Sequence, residues 1–227
     1  MLTTNVLCLI LFSVVAVNAL KCSEYKSKKP TVKEVVLAVE WAPGVCVKNK
    51  ECGNFKPQWS IHGLWPQNGE RCCEESYNRN LVRAYYRELE GIWPTLKTGF
   101  ANERFWAHEW TKHGTCAYAV DSLTGQARYF SNGMRLFRNL QMPSILSASK
   151  INPTNKAATA EYKILAIKSA IRNKIKVNVQ LICREVPTIS KIPILQEIRV
   201  CYDKGLKYID CSTKDVCKGD SVLFVSK

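Results

Sequence analysis

Acidic residues are in short supply in this chain: 19 Asp and Glu stand against 33 Lys and Arg, a formal net charge of +14 over 227 residues. A surface so unbalanced attracts polyanions and speeds their encounter, although it says nothing about fold. Histidine is scarcer, with three residues in all. No internal repeat, low-complexity tract or linker divides the sequence, so a single compact domain is expected. After the N-terminus no stretch approaches the roughly 20 apolar residues that a bilayer span needs. The end, Val222-Leu-Phe-Val-Ser-Lys227, is too short for a lipid-anchor signal. Asn-X-Ser/Thr is absent too, because Asn152-Pro153-Thr154 is blocked by its proline, and an unglycosylated chain is expected.

What is present begins with a leader. Val6 to Val17 is apolar, and Val17-Asn18-Ala19 offers small residues for cleavage after Ala19. No Lys or Arg precedes the run, which is untypical of such signals. The division expected is therefore a signal peptide over 1–19 and one domain over 20–227. The leader carries no charge, so the whole excess of cations belongs to the mature chain. Of the eleven cysteines, Cys8 lies in the leader and ten remain. An even number in an exported chain implies disulfides. Secretion, or delivery to a lysosomal or vacuolar lumen, is the expected destination.

Hydrophobic patterning predicts strands over Val35–Val39 (closed by Pro43-Gly44), Trp59–Trp65, Lys176–Arg184, Glu197–Asp203 and Lys207–Cys211. Helical periodicity predicts helices over Asn78–Ile92, Glu103–His113, Gln126–Leu140 and Asn155–Ile175. Strands at both ends with helices between them indicate an α+β fold.

All three histidines fall in two motifs. The first is Trp59-Ser60-Ile61-His62-Gly63-Leu64-Trp65-Pro66. The second is Phe105-Trp106-Ala107-His108-Glu109-Trp110-Thr111-Lys112-His113-Gly114-Thr115-Cys116. On a helix the second motif places His108, Glu109, Lys112 and His113 within an arc of roughly 140°. Desolvating that set without a task would be costly. A zinc site is disfavoured: His108 and His113 stand five residues apart and diverge by about 140° on a regular helix. The set suits RNA cleavage, in which the ribose 2′-hydroxyl is the nucleophile. A base takes its proton, an acid protonates the departing 5′-oxygen, and positive charge stabilises the phosphorane. Neither a metal nor a cofactor is needed, and His62 is expected to face the helix and complete the pair.

These two segments resemble the active-site segments of the ribonuclease T2 family, and the resemblance extends from the Val35 strand to the C-terminal cysteines. It implies an α+β fold with a central antiparallel sheet flanked by helices, and cleavage of single-stranded RNA through a 2′,3′-cyclic phosphate. It further implies His113 as general base and His62 as general acid, with Glu109 and Lys112 stabilising the pentacovalent state and His108 holding the phosphate. Trp65 would be a base-stacking platform, although a core tryptophan before a proline turn is an equally plain reading. The family's cysteine pattern implies Cys46–Cys52, Cys201–Cys211 and Cys183–Cys217, with Cys116 joined to Cys72 or Cys73 and Cys22 taking the remaining partner. The partner implied is single-stranded RNA, with no membrane and a monomeric enzyme. An RNA-binding or signalling protein that keeps the fold without turnover is the alternative class. One departure stands out: where the family's first strand often has Gln-Trp-Pro, this chain has Glu40-Trp41-Ala42-Pro43. That strand lies near the base-recognition region in some members, so base preference does not carry over.

Overall fold

β1, Val35–Trp41, is buried along its whole length, and its first five residues, Val35–Val39, form the unbroken aliphatic run expected of a strand covered on both faces. The computed structural model describes residues 20–226 apart from 54 and 156–159, so the expected leader lies outside the described residues. β1 pairs antiparallel with β2, Trp59–Pro66, on one side and with β5, Ser190–Tyr202, on the other. Successive side chains point to opposite faces of a strand. Val35, Leu37, Val39 and Trp41 accordingly enter the main core, while Val36, Ala38 and Glu40 point to the other face.

The sheet has seven strands in the order β2-β1-β5-β7-β3. β7 is Ser221–Leu223 and β3 is Glu161–Lys163. β4, Gln180–Val186, and β6, Tyr208–Ile209, also pair with β5. Between these strands, among the described residues, every pairing is antiparallel except the parallel bridge of Ile194 to Leu223 between β5 and β7. The helices are α1 (Cys22–Ser27), α2 (Ala42–Cys46), α3 (Arg79–Val82), α4 (Tyr86–Ile92), α5 (Asn102–Lys112), α6 (Gln126–Leu140), α7 (Met142–Ala148) and α8 (Ile164–Ile175). α6 has the expected bounds and buries Phe130, Gly133, Met134 and Leu140 at helical spacing. It stops where Gln141 turns left-handed at φ 47°. Trp93, Trp106, Trp110, Tyr129 and Phe130 fill the space between helices and sheet, all essentially inaccessible.

Several boundaries differ from expectation for local reasons. The predicted strand over 176–184 starts only at Gln180, because Lys176 closes α8 in a left-handed conformation with φ 67°. The predicted helix over 155–175 begins at Ile164; Glu161–Lys163 pair instead with β7, and residues 156–159 lie outside the described set. β5 extends back to Ser190 through Pro193, and its register with β4 shifts between Arg184 and Val186. A proline cannot donate to the ladder, so Pro193 hid the first half of this strand. Pro43, expected only to close β1, opens the short α2. A three-residue 3-10 turn, Arg83–Tyr85, divides the helix predicted over 78–92.

Among the described residues five disulfides form. Cys46–Cys52, Cys183–Cys217 and Cys201–Cys211 follow the implied pattern, and the open choice resolves as Cys72–Cys116 with Cys22–Cys73. The adjacent Cys72 and Cys73 thus tie one loop both to the segment after α5 and to the start of α1.

Candidate active site

The site is built on a break in strand pairing. β1 matches Ala38 with Gly63 and Val39 with Ile61, so His62 is the extra residue of a β-bulge. A bulge re-aims a side chain and resets the alternation. Here it lets Ile61 and Leu64, three residues apart, both reach the core, while His62 and Trp65 stay half-buried on the site side. The carbonyl of His62 accepts a hydrogen bond from Trp93 Nε1 at 3.0 Å, which pins the bulge from the core side.

α5 brings up the second motif. Trp106 and Trp110 bury their rings in the core, and their indole N–H groups donate to the carbonyls of Trp93 and Glu75. That anchorage turns Glu109 inward, where it is 3 % exposed, and Trp65 Nε1 donates to Glu109 Oε2 at 2.9 Å. Gly63 makes this contact feasible: a Cβ there would lie 2.1 Å from Trp65 Nε1 and 2.4 Å from Glu109 Oε2. The helix ends at Lys112 and His113 is its C-cap. Trp65 links the two motifs, with its ring centroid 5.0 Å from that of His62 and 5.4 Å from that of His113. Lys112 Nζ lies 3.2 Å from Glu70 Oε1, and the Arg71 amide donates to the Lys112 carbonyl at 2.9 Å. The doubly tied cysteine loop is therefore fastened to the end of α5.

His62, Trp65, Glu109, Lys112 and His113 meet in one place. His108 lies outside that inner group: it is exposed on α5 and its imidazole makes no hydrogen bond with the described residues. Among the described residues no group of three or more His, Cys, Asp or Glu could hold a metal ion. No helix among them is long and apolar enough to cross a membrane.

Three side chains escape a reading of motifs. Glu197 on β5 is 5 % exposed, and its Oε2 lies 2.6 Å from His62 Nδ1. Its Oε1 accepts from Arg199 Nε at 2.6 Å, and the Arg199 guanidinium sits 5.0 Å from the centre of the Trp65 ring. Glu40 on β1 is directly opposite Glu197 and is 6 % exposed. An acid inside the otherwise apolar β1 is the signal that could have flagged Glu40; Glu197 offers no such signal, because Gln196 and Arg199 flank it on β5.

The electrostatics divide the histidines. Burial pulls the His62 imidazole down, but its hydrogen bond to Glu197, with the charges of Glu197, Glu40 and Glu109, outweighs this and holds it up at about 9. Burial and the Lys112 ammonium push His113 down to about 4. The same two causes, weaker at the surface, lower His108. Burial raises the Glu109 carboxyl against the opposing pull of Trp65, His62 and Lys112. Burial also carries Glu40 up to about 7, with His62 opposing and Glu197 adding to the rise. Two imidazoles thus flank one indole, one in surroundings that favour holding a proton and the other in surroundings that favour shedding it.

The ribonuclease T2 family model matches residues 32–211. Ribonuclease T2 of Danio rerio is 32 % identical over 190 residues, which cover 82 % of this chain and 77 % of that one. The crystal structure of human RNase T2 superposes with a TM-score of 0.75 at 29 % identity, covering 85 % of this chain and 98 % of that one. A mutant of RNase MC1 in complex with 5′-GMP gives a TM-score of 0.75 at 30 % identity, covering 86 % of this chain and all of the other.

Proposed function

This chain belongs to the ribonuclease T2 family of RNA-cleaving endonucleases, and on that premise we propose that it cleaves single-stranded RNA by 2′-hydroxyl transesterification through a 2′,3′-cyclic phosphate. The observation that carries this reading is the placement of His62 and His113 against the one Trp65 ring, the first bonded to the Glu197 carboxylate and the second beside the Lys112 ammonium. Between roughly pH 4 and 9 His113 is free to accept a proton while His62 keeps one to give.

His113 takes the proton of the 2′-hydroxyl as that oxygen attacks phosphorus. His62 then protonates the 5′-oxygen as the phosphorus–oxygen bond breaks, and no covalent enzyme intermediate forms. Lys112 supplies positive charge where the phosphorane gathers negative charge. Glu109, buried beside Trp65 with His62 and Lys112 close by, joins Lys112 in stabilising the pentacovalent state. His108, at the exposed rim, meets the flanking phosphate. Trp65 borders the RNA path beside both imidazoles, with its N–H committed to Glu109. The reaction needs no metal or cofactor, and the enzyme works as a monomer. Five disulfides fit an oxidising compartment, in keeping with secretion or residence in a lysosomal or vacuolar lumen after removal of residues 1–19.

The test is incubation of the mature protein with single-stranded RNA and a strong chelator, followed by analysis of the ends. Cyclic-phosphate termini and full activity are expected. His62→Ala and His113→Ala should each lower turnover by a factor on the order of a hundred or more, as for loss of a general acid or base. Near-normal rates in either variant would reject the assigned roles.

A further inference from the structure

Two acids, Glu40 and Glu197, lie side by side on neighbouring strands of a closely packed sheet. Burying one carboxyl is costly and burying two together adds repulsion, so their presence calls for a reason beyond packing. The hydrogen bonds supply one. Glu197 spends one oxygen on Arg199 and the other on His62, whereas Glu40 receives only a weak bond from Ser60 Oγ at 3.4 Å. The partners thus leave the charge on Glu197, and Glu40 takes the proton on the acid side of neutrality.

The bond from His62 to Glu197 also crosses a strand. His62 is on β2 and Glu197 on β5, with β1 between them, and neighbouring strands lie about 4.8 Å apart. Ala38 of β1 is the residue paired with both Gly63 and Arg199, and its methyl leaves room for the imidazole to reach over. A small residue in the middle strand, a bulge in the edge strand and an acid in the far strand all serve one contact.

We propose that Glu197 is the positioning residue of the general acid: its carboxylate, braced by Arg199, accepts the Nδ1 proton of His62 and so directs the Nε2 proton at the leaving 5′-oxygen. The inference rests on the assignment of His62 as the acid. When Nε2 passes its proton to the 5′-oxygen, the electron pair of the breaking bond stays on that oxygen. The neutral imidazole that remains keeps Nδ1–H on Glu197, so it neither rotates nor changes tautomer before it is recharged. Glu40 on β1 and Glu109 on α5 also favour the charged imidazole. Neither makes a hydrogen bond to it.

With only three histidines in the chain, imidazole NMR of the whole mature protein can follow each ring. In Glu197→Gln the His62 titration should fall by about one pH unit or more, while His113 stays in place. The alkaline limb of kcat should move down by the same amount, with kcat at pH 8 reduced roughly twofold and KM almost unchanged. Glu197→Asp should restore part of the shift. An unmoved His62 titration, or a fall in kcat with its alkaline limb unmoved, overturns the proposal. Should the variants not fold, the wild-type protein still decides: Nδ1 of His62 is expected to be protonated at every pH, and an Nδ1 without its proton in the neutral ring overturns the proposal. A wild-type protein that leaves RNA uncut overturns the premise instead, whatever His62 does.

Discussion

At the scale of single residues, the site works by placing like side chains in unlike surroundings. His113 has the Lys112 ammonium near it, and His62 has a carboxylate. In the proposed roles, activity needs His113 without its proton and His62 with one. The rate should therefore rise as pH passes about 4 and fall as pH passes about 9, which a pH profile of kcat/KM on a dinucleotide will show. Lys112→Ala removes a cation that depresses His113. The acid limb should move to higher pH, and kcat should fall more than KM rises because the lost interaction belongs to the transition state. A profile whose acid limb stayed put would exclude Lys112 as the depressing charge. Gly63 is a second point where one atom decides. In Gly63→Ala the new methyl must displace Trp65 or Glu109. A loss of about 1–3 kcal/mol of stability is expected from overpacking, measurable by denaturant unfolding, together with a fall in kcat.

At the scale of elements, the bulge in β2, the anchored helix α5 and the loop carrying Cys72 and Cys73 hold the site. The bridge Cys22–Cys73 closes 51 residues and Cys46–Cys52 only 6. Loop-closure entropy then makes the first worth roughly 4 kcal/mol and the second roughly 2 kcal/mol. Replacing Cys22 and Cys73 together by alanine should lower the unfolding midpoint more than replacing Cys46 and Cys52. The reverse order would mean that native strain, not chain entropy, sets the ranking. The motif on α5 was legible in the sequence because its periodicity and its polar residues share one helix: Glu109, Lys112 and His113 appear where a 100° step puts them. The bulge was not legible, because a strand read in isolation alternates strictly and nothing in Ile61-His62-Gly63 announces an unpaired residue. Pro193 likewise concealed the half of β5 that precedes Glu197.

At the scale of the molecule, a net charge of +14 faces a polyanionic substrate. Each phosphate contact on a single strand contributes a slope of about −0.7 to the logarithm of affinity against that of salt. With about three such contacts, raising salt fourfold should cost roughly twentyfold in kcat/KM on long RNA. A dinucleotide, which offers a single phosphodiester, should lose far less. Equal salt dependence for the two substrates would show that the surface cations away from the site do not engage the chain of phosphates.

The sequence by itself determined the chemistry of the site: which titratable groups are available, that two motifs own all the histidines, and that one of those motifs would lie on a helix face. It did so because covalent spacing and helical periodicity act over a few residues. Only the tertiary structure decided which histidine would hold its proton and which would release it. That depends on Glu197, which stands 135 residues from His62 along the chain and comes within hydrogen-bonding reach only when β2, β1 and β5 assemble into one sheet. A pKa is set by what lies within a few ångströms in space, and no local pattern records that.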